Sequence, residues 1–268
     1  MSNRVRSFSL STDELSSLIP EFDAEPLPLE VQELYEAWSA SGDAVDLTNT
    51  AVAESDWPVS IYVPERYEER YAYPLVIWFH SDDTDEDQLE DVMAAISSQN
   101  YCGLALRGNK YCNSTGGYRW DTNQLTFSSV PLHSLLQMTT CRLRRAFHIH
   151  SERIFLAGAG SGADTALRML VCRPDWFAGA VLFDPIGDNN VLRSERLTAL
   201  RGKPILTTAS RNSNNEQLAA HLERIRLLRG AGTRLEVTLR DEVVDPVSSE
   251  VRFVDHWIMQ QMQRTALV

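Results

Sequence analysis

The sequence lacks the features of membrane, secreted and nucleic-acid-binding proteins. No apolar run approaches the roughly 20 residues of a membrane span, and the first residues contain no hydrophobic signal core. Basic residues are in deficit: 25 Lys and Arg against 37 Asp and Glu give a net charge of −12. Phosphate contacts depend on clustered cations, so this balance argues against a nucleic-acid partner. We therefore expect a soluble, cytoplasmic protein with no nucleic-acid partner and no membrane span.

Cysteine is also scarce. The four cysteines show no C-x-x-C spacing, so we predict reduced thiols and neither a zinc site nor a disulfide framework. An aspartate-rich run from Asp82 to Asp91 could suggest calcium, but it lacks the glycine and the terminal glutamate of an EF-hand loop. We interpret this run as a solvated helix start and predict no metal and no cofactor.

What is present is a chain of 268 residues, 43% hydrophobic, which can bury one substantial core. Residues 1–56 are polar and acidic and include one stretch of helical spacing at residues 29–38, so we predict a partly helical N-terminal extension. From residue 57 onward, apolar strands alternate with amphipathic helices almost without a break. Residues 57–268 are therefore predicted to form an α/β domain with a mostly parallel central sheet and helices on both faces.

Residues 153–170, RIFLAGAGSGADTALRML, predict a strand, a tight turn of small residues and a helix. A turn of the form G-x-S-x-G between strand and helix is the nucleophile elbow of α/β-hydrolases. When the motif is read from Gly158, its middle residue is Gly160, which has no side chain to attack a substrate. When it is read from Ala159, the nucleophile is Ser161. A phosphate cradle is a third interpretation, but the turn has neither the P-loop Lys-Ser/Thr pair nor the dinucleotide G-x-G-x-x-G spacing.

Several other segments share the pattern of one enzyme family. Residues 73–80 (YPLVIWFH) form an apolar strand, residues 107–108 (RG) precede residues 116–120 (GGYRW), and residues 153–158 read RIFLAG. Together they resemble the phospholipase/carboxylesterase branch of the α/β-hydrolase superfamily, which includes feruloyl-esterase-like and depolymerase-like enzymes. This resemblance implies the α/β-hydrolase fold and a serine esterase, in which histidine carries the proton, an acid orients it and two backbone N–H groups hold the oxyanion.

Carried over residue by residue, the resemblance places the catalytic positions on residues that do not fit the chemistry. The family serine aligns with Gly160, and the acid is expected at residues 210–215, which contain no carboxylate. The histidine is expected at residues 241–250, which contain none, and Asp245 lies at about that position. The oxyanion loop begins His-Gly in the family and His80-Ser81 here. Four altered features together predict a hydrolase fold that has lost its catalytic machinery.

An active esterase that uses Ser161 is the main alternative. It needs a downstream histidine, and the two candidates, His221 and His256, lie in predicted helices, while Asp184 could supply the acid. Three classes of function stay open: a non-catalytic binding or assembly protein with a pocket that includes Trp120, an esterase acting through Ser161, and a structural protein with a filled pocket. The expected partner is an unknown small ligand or an ester substrate, and a homo-oligomer stays open.

Overall fold

The computed structural model describes residues 6–9, 57–121, 126–127, 130–193, 195–212 and 214–265. Its strands, in chain order, are β1 (Arg6–Ser9), β2 (Pro58–Tyr62), β3 (Tyr73–Phe79), β4 (Cys102–Leu106), β5 (Lys110–Tyr111), β6 (Tyr118–Arg119), β7 (Thr126–Phe127), β8 (Val130–Pro131), β9 (Ile149–Ala159), β10 (Gly179–Phe183), β11 (Pro204–Ser210) and β12 (Arg234–Arg240). Eight of them form the main sheet in the order β1-β2-β4-β3-β9-β10-β11-β12. The remaining four form two short hairpins, β5-β6 and β7-β8.

In sheet order, the strands from β4 through β12 are parallel, and β2 alone runs antiparallel to its two neighbours, β1 and β4. The helices are α1 (Gln88–Ile96), α2 (Leu132–Ala146), α3 (Ser161–Cys172), α4 (Asn215–Gly230) and α5 (Phe253–Thr265), with short 3-10 helices at Asn190–Arg193, Glu195–Leu200 and Ser249–Arg252. The predicted α/β architecture is therefore confirmed. Crossover helices connect the parallel strands and cover the sheet, which is why these strands can be apolar throughout.

Strand β3 shows how the core is divided. All seven of its residues are buried, and alternate side chains enter two apolar clusters on opposite faces of the sheet. Ile77 belongs to the cluster on one face, which contains Leu135 of α2, Leu167 of α3 and Leu228 of α4. Trp78 belongs to the cluster that contains Leu89 of α1 and Trp257 of α5. Helices therefore pack on both faces, as the sequence pattern predicts.

Three local features differ from the sequence expectations or extend them. Strand β9 begins at Ile149 rather than near Arg153, because Ile149 also pairs with Tyr73 across a register shift. Helix α3 begins at Ser161, immediately after the turn. Residues 6–9 of the predicted extension pair with β2 at one edge of the sheet. The helix predicted at residues 29–38 lies outside the described residues.

Candidate functional site

The turn between β9 and α3 has the backbone geometry of a strained elbow. Gly160 adopts φ 57° and ψ −124°, a conformation that L-amino acids rarely occupy, and its N–H donates to the Phe183 carbonyl at 3.0 Å. Two residues later, a Cβ on Gly162 would lie 2.2 Å from the Phe79 carbonyl oxygen, so β3 and the start of α3 approach within backbone contact. The strained middle position of this elbow is therefore Gly160.

The Asp82 carboxylate fills the space beside the elbow. Asp82 follows β3, and a Cβ placed on Gly160 would lie 2.6 Å from its Oδ2 atom. The same oxygen accepts the Ser161 backbone N–H at 3.1 Å, and Oδ1 accepts the Ser161 hydroxyl at 2.6 Å. A side chain from an adjacent loop thus occupies the region that any longer side chain at residue 160 would enter.

The Ser161 hydroxyl has both a donor and an acceptor partner. It donates to Asp82, and it accepts the Trp120 backbone N–H at 3.1 Å. Ser161 is only 8% exposed. Among the described residues, which include all six histidines, no histidine nitrogen bonds to this hydroxyl. Ser161 therefore lacks the imidazole contact that activates a serine nucleophile.

His80 is a buried structural residue at the start of the Asp82 loop. Its Nε2 accepts the Gly108 N–H at 2.8 Å, which assigns the proton to Nδ1, and Nδ1 donates to the Ser81 carbonyl at 2.8 Å. Burial lowers the pKa of His80 and favours the neutral ring. The Trp120 indole is fully packed beside it and donates to the His80 carbonyl at 3.3 Å. These contacts leave the imidazole no free nitrogen for proton transfer.

The other polar contacts of this loop are made with residues outside the elbow. The Ser81 N–H, at the glycine position of the family's oxyanion loop, donates to Gln88 Oε1 at 2.9 Å. Glu86 is buried and forms a two-pronged ion pair with Arg107 at 2.6 and 2.7 Å, which raises the pKa of the arginine. Within the acidic run from residue 82 to residue 91, Asp82 is the residue whose carboxylate contacts the elbow.

Asp184 lies beside the elbow at the end of β10. It is buried, adopts φ 45°, and its Oδ2 accepts the Thr208 hydroxyl at 3.0 Å and the Val244 N–H at 2.9 Å. Val244 belongs to the loop after β12, where the resemblance places the histidine. This loop therefore contacts Asp184 through the backbone N–H of Val244 and not through a histidine side chain.

The other two predicted site residues lie on the surface. His256 is an exposed residue of α5, and its Nε2 contacts the Gln260 side-chain amide at 2.7 Å. Asp245 is exposed, and its Oδ1 accepts the Val247 N–H at 3.1 Å within the same loop. The structure brings together Gly160, Ser161, His80, Ser81 and Trp120 around Asp82, and it shows no contact between this group and His256 or Asp245.

A buried charged pair supports the loop that follows Asp184. Asp164 of α3 accepts the backbone N–H groups of Ile186 and Gly187, and Arg224 of α4 donates to Asp164 Oδ1 at 3.4 Å and to the Gly187 carbonyl at 2.7 Å. Burial raises the pKa of Asp164 to about 6 and lowers the pKa of Arg224. Sequence reasoning missed this pair, although a carboxylate on the apolar side of a helix is a signal that could have indicated it.

A cavity of about 210 Å³ lies at the amino-terminal ends of the parallel strands, on the other side of the molecule from the elbow. Its lining combines cations, an anion and apolar groups, among them His150, Glu152, Arg153, Phe155, Arg234 and Met262. In the part of the chain that the structure describes, no three His, Cys, Asp or Glu side chains are grouped to hold a metal ion. Within the same part, no helix has the length and apolar character needed to cross a membrane.

Comparison with known proteins gives structural relatives only. No protein-family model and no curated protein matches the chain. A ferulic acid esterase structure matches with a TM-score of 0.62 at 12% identity, covering 76% of this chain and 92% of the other. A Bacillus cereus carboxylesterase matches with a TM-score of 0.58 at 17% identity, covering 78% and 96%.

The chain has the α/β-hydrolase fold. A third solved structure, an S-formylglutathione hydrolase from Agrobacterium tumefaciens, has the same fold, with a TM-score of 0.57 at 14% identity over 76% of this chain and 90% of the other. In the α/β-hydrolase fold, the nucleophile stands on the strained turn, and the N–H of the following residue helps to form the oxyanion hole. In this chain the strained residue of the turn is Gly160, and the N–H of the following residue, Ser161, donates to Asp82.

Proposed function

We propose that this chain is a non-catalytic α/β-hydrolase-fold protein that acts by binding or assembly rather than by ester hydrolysis. The observation that carries the proposal is the Asp82 carboxylate at the elbow. It contacts Ser161 through two hydrogen bonds and lies 2.6 Å from where a Cβ of residue 160 would be. A resident anion thus takes the place that an enzyme of this fold keeps for the nucleophile and the substrate oxyanion.

Electrostatics argues against ester hydrolysis at this elbow for the same reason. A tetrahedral intermediate would place a second negative charge near the Asp82 carboxylate, since the oxyanion donor at Ser161 N–H already bonds to it. Two like charges about 4 Å apart repel by about 4 kcal/mol at an effective dielectric constant near 20. An oxyanion hole must instead supply several kcal/mol of stabilisation. Asp82 would have to move away before this site could stabilise an oxyanion.

An esterase that uses Ser161 is the second candidate, and one observation favours it: the hydroxyl donates a short hydrogen bond of 2.6 Å to a carboxylate. Carboxylates are much weaker bases than imidazole, however, and a serine nucleophile normally relies on an adjacent histidine. The structural relatives are named as a ferulic acid esterase, a carboxylesterase and an S-formylglutathione hydrolase, but identities of 12–17% support the shared fold alone. A purely structural protein would share the filled elbow and differ in lacking a partner.

The test is a hydrolysis assay on the full chain. We expect p-nitrophenyl acetate and methyl ferulate to be hydrolysed no faster by the wild type than by the Ser161→Ala variant. Ser114→Ala, a change at an exposed serine, is the matched control for an effect of mutation alone. Turnover that is lost in Ser161→Ala and kept in Ser114→Ala would establish the esterase and overturn the proposal.

A further inference from the structure

Strand β12 is the free edge of the main sheet. It pairs with β11 along its whole length, from Pro204 opposite Arg234 to Ser210 opposite Arg240, and no described strand pairs with its other side. Leu239, near its end, is 53% exposed. An edge strand of this length presents a row of backbone donors and acceptors that can pair with another strand.

The side chains of β12 alternate between the two faces of the sheet. Leu235 packs against the apolar cluster of α4, while the Arg240 guanidinium lies 5.0 Å from the Phe253 ring of α5. The even-numbered residues therefore share one face and read Arg234, Glu236, Thr238, Arg240. Charges of opposite sign lie two residues on either side of Thr238, at Glu236 and Arg240. The charges of the strand therefore match those of a second copy that runs in the opposite direction.

We propose that β12 pairs antiparallel with β12 of a second copy of this chain about a two-fold axis at Thr238. Such an axis runs normal to the sheet and keeps every residue on its own face, so even-numbered residues oppose even-numbered residues. With Thr238 at the centre, Glu236 opposes the partner's Arg240, and this pair occurs twice. On the other face, Val237 opposes the partner's Leu239, which covers the exposed leucine.

The neighbouring registers place like charges together. With Val237 at the centre, Arg234 opposes the partner's Arg240, and with Glu236 at the centre, the two glutamates oppose each other. Opposite charges directly across an antiparallel pair stabilise it, and like charges destabilise it. Of the registers centred on Glu236, Val237 and Thr238, the charges of β12 therefore favour the one centred on Thr238.

The domain that carries β12 has little net charge of its own. Residues 1–56 contain twelve acidic and two basic side chains, so they account for most of the net charge of −12. Residues 57–268, which carry β12, are close to neutral, with 25 acidic and 23 basic side chains. The pairing does not involve the elbow, so its test is independent of whether the protein hydrolyses esters.

A charge-swap experiment on the full chain tests the pairing. Sedimentation equilibrium at micromolar concentrations should give a mass near twice 30.2 kDa for the wild type. Glu236→Arg should weaken the dimer by about tenfold or more, because it creates two Arg–Arg oppositions, and Arg240→Glu should weaken it similarly. The double variant should restore the dimer. Glu65→Arg, the same charge change at an exposed residue outside β12, should leave it unchanged.

Two results would overturn the proposal: a monomeric wild type throughout, which would mean that the charges only protect the edge, or a dimer that Glu236→Arg does not weaken. Arg240 packs on Phe253, so thermal unfolding by circular dichroism checks that variant first. If Arg240→Glu does not fold, Thr238→Arg replaces it. That change sets two arginines against each other at the proposed axis, and an undiminished dimer would then count against the register.

Discussion

At the scale of single residues, the geometry of the elbow depends on Gly160, whose side chain is a single hydrogen atom, and on Asp82, which lies against it. Gly160 permits φ 57°, and its missing side chain leaves room for the Asp82 carboxylate. The two residues are therefore coupled: a side chain at 160 requires that Asp82 move. This coupling predicts how substitutions at each position affect stability.

Gly160→Ala should lower the free energy of unfolding by about 1–3 kcal/mol for backbone strain, with a further cost from the contact of its Cβ with Asp82. Gly202→Ala is the matched control, since Gly202 has φ 76° and nothing lies within 4 Å of its Cβ position. The Asp82→Ala/Gly160→Ala double variant should lose less than the sum of the two single changes. Urea unfolding measures all four, and strict additivity would contradict the coupling.

Asp82→Ala alone should lower the unfolding free energy by about 1–3 kcal/mol, because the Ser161 N–H and hydroxyl lose their acceptor in a largely buried place. Asp87→Ala is its control: Asp87 is exposed and its side chain caps no helix N–H. That change should alter stability by no more than about 0.5 kcal/mol. Equal effects from the two substitutions would show that the Asp82 contacts are energetically unimportant.

Sequence reasoning located the elbow but not the residue that fills it. Gly160 follows from the local pattern of small residues, and the misfit of Ser161 follows from counting along the motif. Asp82 is separated from Ser161 by 79 residues, and four other acidic residues lie within the next five positions. Because only the tertiary structure decides which of these carboxylates turns inward, the sequence predicts an acidic loop and not an occupied site.

At the scale of secondary-structure elements, the ends of the strands are fixed by long-range polar contacts. The loop after β10 is tied to α3 by Asp164 and to α4 by Arg224, residues that are 60 positions apart. Strand and helix alternation, which is local and periodic, could be predicted, as could the buried strand β3. A carboxylate on the apolar side of α3 is a local signal for a buried acid, but its pairing with Arg224 could not be predicted, because the two residues lie on separate helices.

Asp164 predicts a pH dependence of stability with a definite sign. Burial raises the pKa of Asp164 to about 6, above the model-peptide value of 3.8 that applies when the chain is unfolded. The fold therefore disfavours the ionised carboxylate, and this group contributes less to stability as pH rises from about 4 to 6. The wild type should gain unfolding free energy relative to Asp164→Asn when the pH falls from about 7 to about 5.

Denaturant titrations of both proteins at the two pH values measure that difference. The comparison removes titrations that the two chains share, since only residue 164 differs. The opposite result would be a wild type that loses stability relative to Asp164→Asn on acidification. It would mean that the attraction of Arg224 outweighs burial and that the pKa of Asp164 is lowered rather than raised.

At the scale of the whole molecule, we propose that the chain keeps the fold without the catalytic chemistry. The α/β-hydrolase fold is retained at 12–17% identity to esterase structures, because it depends on an apolar pattern that many sequences satisfy. Catalysis depends instead on a few side chains at the carboxyl edge of the sheet. At that edge this chain has Gly160 on the strained turn, the Asp82 carboxylate beside it and a loop that contacts Asp184 through the Val244 amide.

The most direct test of whether Ser161 is an active nucleophile is covalent labelling. The full chain is incubated with an alkyl fluorophosphonate, which phosphonylates activated serines, and its intact mass is measured beside a control serine esterase that must be fully labelled. We predict no adduct on this protein, because the Ser161 hydroxyl donates to Asp82 and no histidine activates it. A stoichiometric adduct at Ser161 that is absent in Ser161→Ala would contradict the account and show an active nucleophile.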